Sequence, residues 1–280
     1  MKKTKTIAAK LILVLAGLLW FLTSPGEGAT IKLTCSAKDT IGNAVKKLKP
    51  GDTLSVTGTC NENLVIPEET VRVVLDGQGK ATINGPDTSN PTIVINGRGI
   101  TIKGFTVTGG RDGIVVSRGG QAVIGSNTIQ GTGRFGVQVN QTSFAVIVNN
   151  TIQNNGHNGI SVGRSSNARI TGNMIRNNKL NGVLVTRASQ ADITSSTIDG
   201  NGMNGIDVSQ NSSVQLGADK GTGIFESPNT TTAGNGQFAI RCTVNSSADG
   251  RIGTLNGNNG TKDFDNSCVD SLEPVVLGKQ

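Results

Sequence analysis

The chain has 280 residues, a formal net charge of +7, 3% aromatic residues and no tyrosine. The basic residues are scattered, with no aromatic platform beside them, so a nucleic-acid partner is excluded. The single histidine and the four cysteines show no metal-binding His/Cys spacing.

At the N-terminus, Lys2, Lys3, Lys5 and Lys10 lead into an apolar run from Leu11 to Leu22, followed by small and turn-forming residues from Ser24 to Ala29. This is the pattern of a secretory signal peptide over residues 1–29, cleaved after Ala29. The apolar run is about a dozen residues, short of the roughly 20 that cross a bilayer, so no stable membrane span is expected. Cleavage takes four of the 26 basic and one of the 19 acidic residues, leaving +4 on a secreted or periplasmic protein.

Between Asp39 and Leu48, the apolar residues Ile41, Ala44, Val45 and Leu48 have helical spacing, with Asp39 as N-cap and Pro50-Gly51 as stop. The short helix predicted here would cover the open end of a strand stack. Residues 53–110 read as less regular strands, among them the stretches from Val71 to Leu75 and from Thr92 to Ile95.

A repeat then takes over. Gly113, Gly136, Gly159, Gly182 and Gly205 are evenly spaced, with a period of about 23 residues that falls in the range of solenoid repeats. Each is followed by an apolar residue (Ile114, Val137, Ile160, Val183, Ile206), a variable one and a valine (Val116, Val139, Val162, Val185, Val208). That alternation is a strand with two side chains inward and one outward. A second strand carries Ala122, Ala145, Ala168, Ala191 and Val214, then Ile124, Ile147, Ile170, Ile193 and Leu216. A third presents Ile129, Ile152, Ile175 and Ile198. Three strands and three turns in every repeat, each strand stacked on its own copy, close into a coil whose apolar residues are buried only by the coils above and below. The predicted fold is therefore all-β: a single-domain right-handed parallel β-helix, with an N-terminal cap (30–60), coils (61–216) and irregular C-terminal coils and cap (217–280).

Asn127, Asn150 and Asn173, with Ser196 next in line, occupy one turn and are expected to form a ladder of side-chain amides. Cys35 and Cys60 are separated by slightly more than one repeat, and so are Cys242 and Cys268. Residues one coil apart lie within a disulfide's reach, so each of these pairs is expected to bridge, one at each end of the stack. The Asn-X-Ser/Thr matches are attributed to the Asn- and Thr-rich repeat rather than to glycosylation.

The segments Lys49-Pro50-Gly51-Asp52-Thr53-Leu54 and Leu75-Asp76-Gly77-Gln78-Gly79, and the run from Asn150-Thr151-Ile152 to Asn158-Gly159-Ile160, resemble the pectate-lyase-like β-helix superfamily. The resemblance covers nearly all of the mature chain and implies the fold. It implies no single activity, because that fold hosts lyases, hydrolases, epimerases, tailspikes and non-catalytic surface proteins. Gly156-His157-Asn158-Gly159 is similar to a Gly-His-Gly segment of polygalacturonases, and Asn204-Gly205-Ile206-Asp207 to their Asp-bearing strand. The extra Asn, the missing acidic dipeptide and the reversed chain order leave the repeat as the explanation of both.

Two residues before each repeat glycine stand Arg111, Arg134, His157, Leu180 and Met203; five after it stand Arg118, Gln141, Arg164, Arg187 and Gln210. If both stripes face one groove, a cationic track flanks the first strand. Its natural partner is a polysaccharide, with uronic acids the best match because Arg binds carboxylates bidentately. Arg111, Arg118, Arg164, Arg187 and Asp207 are the expected substrate-binding residues. For catalysis, His157 as base with Arg134 beside it and Asp112 as orienting acid would be the minimal set for a lyase or epimerase. A hydrolase is disfavoured, because it needs two carboxyls across the bond. No cofactor is evident; Ca²⁺ stays open, with no residues to assign to it. The competing reading is a structural or adhesive module, and a monomer is expected in either case.

Overall fold

The computed structural model describes residues 28–217 and 227–273; the leader assigned to residues 1–29 lies almost wholly outside the described residues. The chain climbs as a parallel β-solenoid of about ten coils. One nine-stranded sheet stacks, in order, Leu64–Ile66, Ile93–Ile95, Ile114–Val116, Val137–Val139, Ile160–Val162, Val183–Val185, Ile206–Val208, Phe238–Cys242 and Gly260–Phe264. The other two strands of each coil belong to a 16-stranded sheet whose arms meet at the long strand Ile100–Gly109. Every pairing is parallel, and across the regular coils the register is one repeat: Val137 faces Ile160, Ala145 faces Ala168 and Ile152 faces Ile175.

The inward positions read from the repeat are the core. Ile114, Val116, Val137, Val139, Ile160, Val162, Val183, Val185, Ile206 and Val208 are all 0% exposed, as are Ile129, Ile152, Ile175 and Ile198. The repeat glycines are required for space rather than for an unusual dihedral. A Cβ on Gly159 would lie 2.6 Å from Ile175 Cγ2 and 2.8 Å from both Asn178 Nδ2 and the Gly182 carbonyl oxygen. The column lets the turn lie flat against the next coil.

The turns are tied by ladders. Asn127 Nδ2 donates to Asn150 Oδ1 at 3.1 Å and Asn150 Nδ2 to Asn173 Oδ1 at 3.0 Å, as expected. The structure adds a second amide ladder, Thr132–Asn155–Asn178–Asn201–Asn235, with side-chain contacts of 2.9–3.0 Å. It also adds a hydroxyl ladder in which Ser166, Ser189, Ser212 and Ser246 each accept the backbone N–H of the serine one coil earlier. Buried turn backbone is thereby satisfied without water.

Both disulfides form as expected, Cys35–Cys60 with Cα atoms 5.1 Å apart and Cys242–Cys268 with 5.9 Å. The N-terminal helix is shorter than the sequence suggests, Ile41–Val45, and its N-cap is Thr40 rather than Asp39. Asp39 is held by Ser36, whose hydroxyl donates to Oδ2, while Thr40 Oγ1 accepts from the Asn43 N–H. The Glu62 carboxylate, one coil on, accepts from the Ile41 and Gly42 N–H groups at 2.7 and 2.9 Å and docks the helix. Beyond Leu216 the repeat does not dissolve. Ile206 pairs with Ile240 and Val208 with Cys242, so one coil is longer than the rest and the stack then resumes. The serine ladder measures the change: Ser212 and Ser246 stand 34 apart in sequence, where Ser166 and Ser189 stand 23 apart.

Candidate functional site

On the nine-stranded sheet the outward side chain is the middle one of each triplet: Val65, Val94, Val115, Gln138, Ser161, Leu184, Asp207, Arg241. These residues floor a groove of about 1090 Å³ that runs across the coils. Its walls are the turns that flank the strand. Although outward, Val115, Ser161 and Asp207 are only 5–7% exposed, because the walls cover them.

The stripe five residues after the repeat glycines reaches this groove in full; of the stripe two residues before them, Arg111 and Arg134 line it and His157, Leu180 and Met203 do not. Arg111 and Arg134 line one wall; Arg118, Gln141, Arg164, Arg187 and Gln210 line the other. The second wall carries a conformational cost. Arg118, Gln141, Arg164, Arg187 and Gln210 all have φ between 55° and 58°, the left-handed region that disfavours any residue with a Cβ by about 1–2 kcal/mol. Five consecutive corners thus keep a long polar side chain where glycine would be unstrained. Arg118, Arg134, Arg164 and Arg187 are exposed, and among the described residues none of the four pairs with a carboxylate.

The three residues read as a catalytic set are placed differently from one another. Arg134 lines the groove and lies over the Phe135 ring, 4.6 Å from its centroid. His157 does not line it: its ring packs edge-on against Phe135 at 5.1 Å, and its Nδ1 is buried without a partner among the described residues. Burial and the Arg134 charge hold the imidazole below its ordinary range, with Asp112 pulling the other way. Asp112 is fully buried, and its oxygens serve Arg111 Nε at 2.8 Å and the Phe135 N–H at 3.3 Å. It fixes the groove wall rather than the histidine. Phe135 also interrupts an amide column, Asn158–Asn181–Asn204, and leaves Asn158 Nδ2 unpartnered among the described residues.

Asp207 is the sole carboxylate among the described residues lining the groove. Asn204 Nδ2 donates to its Oδ2 at 3.3 Å, and Arg241 NH1 lies 3.8 Å away. Burial pushes its carboxyl above the usual carboxylate range, against the opposing pull of Arg241 and of the Asn204 hydrogen bond. Arg241 also contacts Asp263 at 3.3 Å. The sequence reading missed Arg241 because the lengthened coil breaks the even spacing; aligning Ile240-Arg241-Cys242 with Ile206-Asp207-Val208 would have placed it on the floor. Among the described residues, no group of three or more His, Cys, Asp or Glu side chains is placed to hold a metal ion.

Stacked parallel coils with a groove across one sheet define a β-helix protein. The chain belongs to the right-handed β-helix region family, whose model matches residues 55–194 and 91–236. No curated protein matches by sequence. Among solved structures, the chain is similar to the pectate lyase Pel9A, with a TM-score of 0.56 and 14% identity over 89% of this chain and 78% of that one. It is also similar to a double mutant of the periplasmic alginate epimerase AlgG, with a TM-score of 0.54 and 14% identity over 88% of this chain and 72% of that one. At these identities the likeness is one of fold, including its right hand.

Proposed function

We propose that the groove binds an anionic, uronate-containing polysaccharide laid across the coils. The observation that carries this reading is the convergence of both arginine stripes on one groove, with Arg118, Arg134, Arg164 and Arg187 held there without carboxylate partners among the described residues. Three of the five left-handed corners on one wall of the groove, at Arg118, Arg164 and Arg187, carry arginine where glycine would be unstrained. The apolar floor of Val65, Val94 and Val115 suits the C–H face of a sugar ring while the walls meet its carboxylates. The names of the solved structures of similar fold, a pectate lyase and an alginate epimerase, point to the same substrate class. Two disulfides favour an oxidising compartment, in keeping with export by the N-terminal leader.

The test is retention of the mature protein on immobilised uronans, compared with a neutral glucan, over a salt series. Binding is expected to be specific to the uronans and to weaken steeply with salt, because the contacts are exposed charges. Arg164→Ala combined with Arg187→Ala should cost at least about tenfold in affinity. Equal retention on the neutral glucan, or no effect of the double substitution, would reject the reading in favour of a structural module.

A further inference from the structure

We propose that Asp207 is the proton-transfer residue of this groove, acting on the acidic C–H beside a uronate carboxyl; the proposal rests on the anionic-polysaccharide reading. The argument is one of elimination followed by placement. The side chains lining the groove are guanidinium, amide, hydroxyl and hydrocarbon, apart from this one carboxylate. Guanidinium stays protonated and amides and hydroxyls do not take a proton near neutral pH, so among the described residues lining the groove Asp207 is the one that can accept a proton and return it. His157 faces Phe135 instead of the groove.

Asp207 is the middle residue of the strand Ile206–Val208, on the floor, and 7% exposed. Its orientation is fixed from behind by Asn204, which is itself anchored by Asn181 Oδ1 through both its backbone N–H at 3.0 Å and its Nδ2 at 3.2 Å. The coil before carries Arg187 on the wall, and the coil after carries Arg241 on the floor. A uronate carboxylate bound between these two arginines would bring the C–H next to it toward Asp207, which sits between them on the floor. Burial that raises the carboxyl's proton affinity makes it a better base than a solvated aspartate.

In the step, the C5–H bond of the uronate breaks and the proton passes to the Asp207 carboxylate. The electron pair enters the uronate carboxyl group as an enolate, whose charge the arginines neutralise. The enolate then either takes a proton back at C5 from Asp207, restoring the C–H bond, or collapses to a C4=C5 double bond as the C4–O bond breaks, in which case the departing oxygen takes the proton from Asp207. One carboxyl serves both transfers, so the second carboxylate of a hydrolase is not required.

The experiment incubates the mature protein in deuterium oxide with polymers of galacturonate, mannuronate, guluronate and glucuronate. It reads deuterium entry at C5 by nuclear magnetic resonance and unsaturated ends by ultraviolet absorbance, with retention on the same polymers measured in parallel. Asp207→Asn is expected to lower whichever chemical signal the wild type gives by at least about a hundredfold while retention persists. Retained binding also shows that the variant is folded. The proposal is overturned if Asp207→Asn reacts as fast as the wild type, if His157→Ala alone abolishes the reaction, or if the wild type binds a uronan and gives neither signal. A wild type that binds none of the polymers overturns the underlying reading instead.

Discussion

Residue by residue, one wall of the groove keeps polar side chains at corners where glycine would be more stable. Arg164 adopts φ 56° at an exposed corner. Arg164→Gly is therefore expected to raise the unfolding free energy by about 1 kcal/mol, read by urea titration, while weakening uronan retention. A loss of stability would show that the guanidinium holds the corner together. Asp207 makes a second case. Its unfolded carboxyl titrates near the ordinary value of 3.8 and its folded one higher, so between these values the native state holds a proton that the unfolded state has released. Stability from this group thus falls as pH rises through that window. Asp207→Asn should melt above the wild type at neutral pH, with the gap closing as pH falls toward 3.8. A gap independent of pH would remove the burial argument.

At the scale of strand and turn, the coil is held by close fit and amide ladders more than by strand length, since most strands of the site sheet span three residues. Gly159→Ala brings a methyl group within 2.6–2.8 Å of Ile175, Asn178 and the next coil's carbonyl, and should destabilise by about 1–3 kcal/mol in chemical denaturation. A neutral outcome would mean that the coils can part without cost. This is also the scale at which the sequence was most and least legible. The inward Ile and Val files, the Asn127 ladder and both disulfides followed from one spacing. The Asn155 and Ser166 ladders did not, because asparagine and serine in a turn read equally well as solvated corner residues. Asp112 and His157 look like a catalytic pair when counted along the stripes. In the structure His157 packs edge-on against the Phe135 ring, while Asp112 accepts from the Phe135 backbone N–H and from Arg111, contacts that the spacing of the stripes does not reveal.

For the whole molecule, stability is close to one-dimensional: each coil contacts its two neighbours, and the ends are closed by the helix Ile41–Val45 and by the disulfides. A charge inside the column has nowhere to go. Val162→Asp, at a position 0% exposed in the middle of the stack, is expected to abolish cooperative thermal unfolding. Unchanged melting would contradict the inward assignment of that file. The helix was expected at the open end for a physical reason, and its true N-cap was hidden because Asp39 and Thr40 are both good caps; Ser36 decides between them by engaging Asp39.

Between Val208 and Cys242 the sequence interval grows from 23 to 34 residues while the strands on either side stay in register. The molecule can therefore be treated as a ruler graduated in coils. Excising one whole repeat, from Ile160 to Gly182, would bring Gly159 up against Val183 and Asn155 against Asn201, each a partner of the kind it lost, and Asn150 against Ser196, a hydroxyl in place of the Asn173 amide. The groove would shorten by a single graduation, about 4.8 Å, and lose one arginine from its wall. Length of the groove and composition of its wall are thus set by how many coils are present and which corners they carry, two quantities that can change independently.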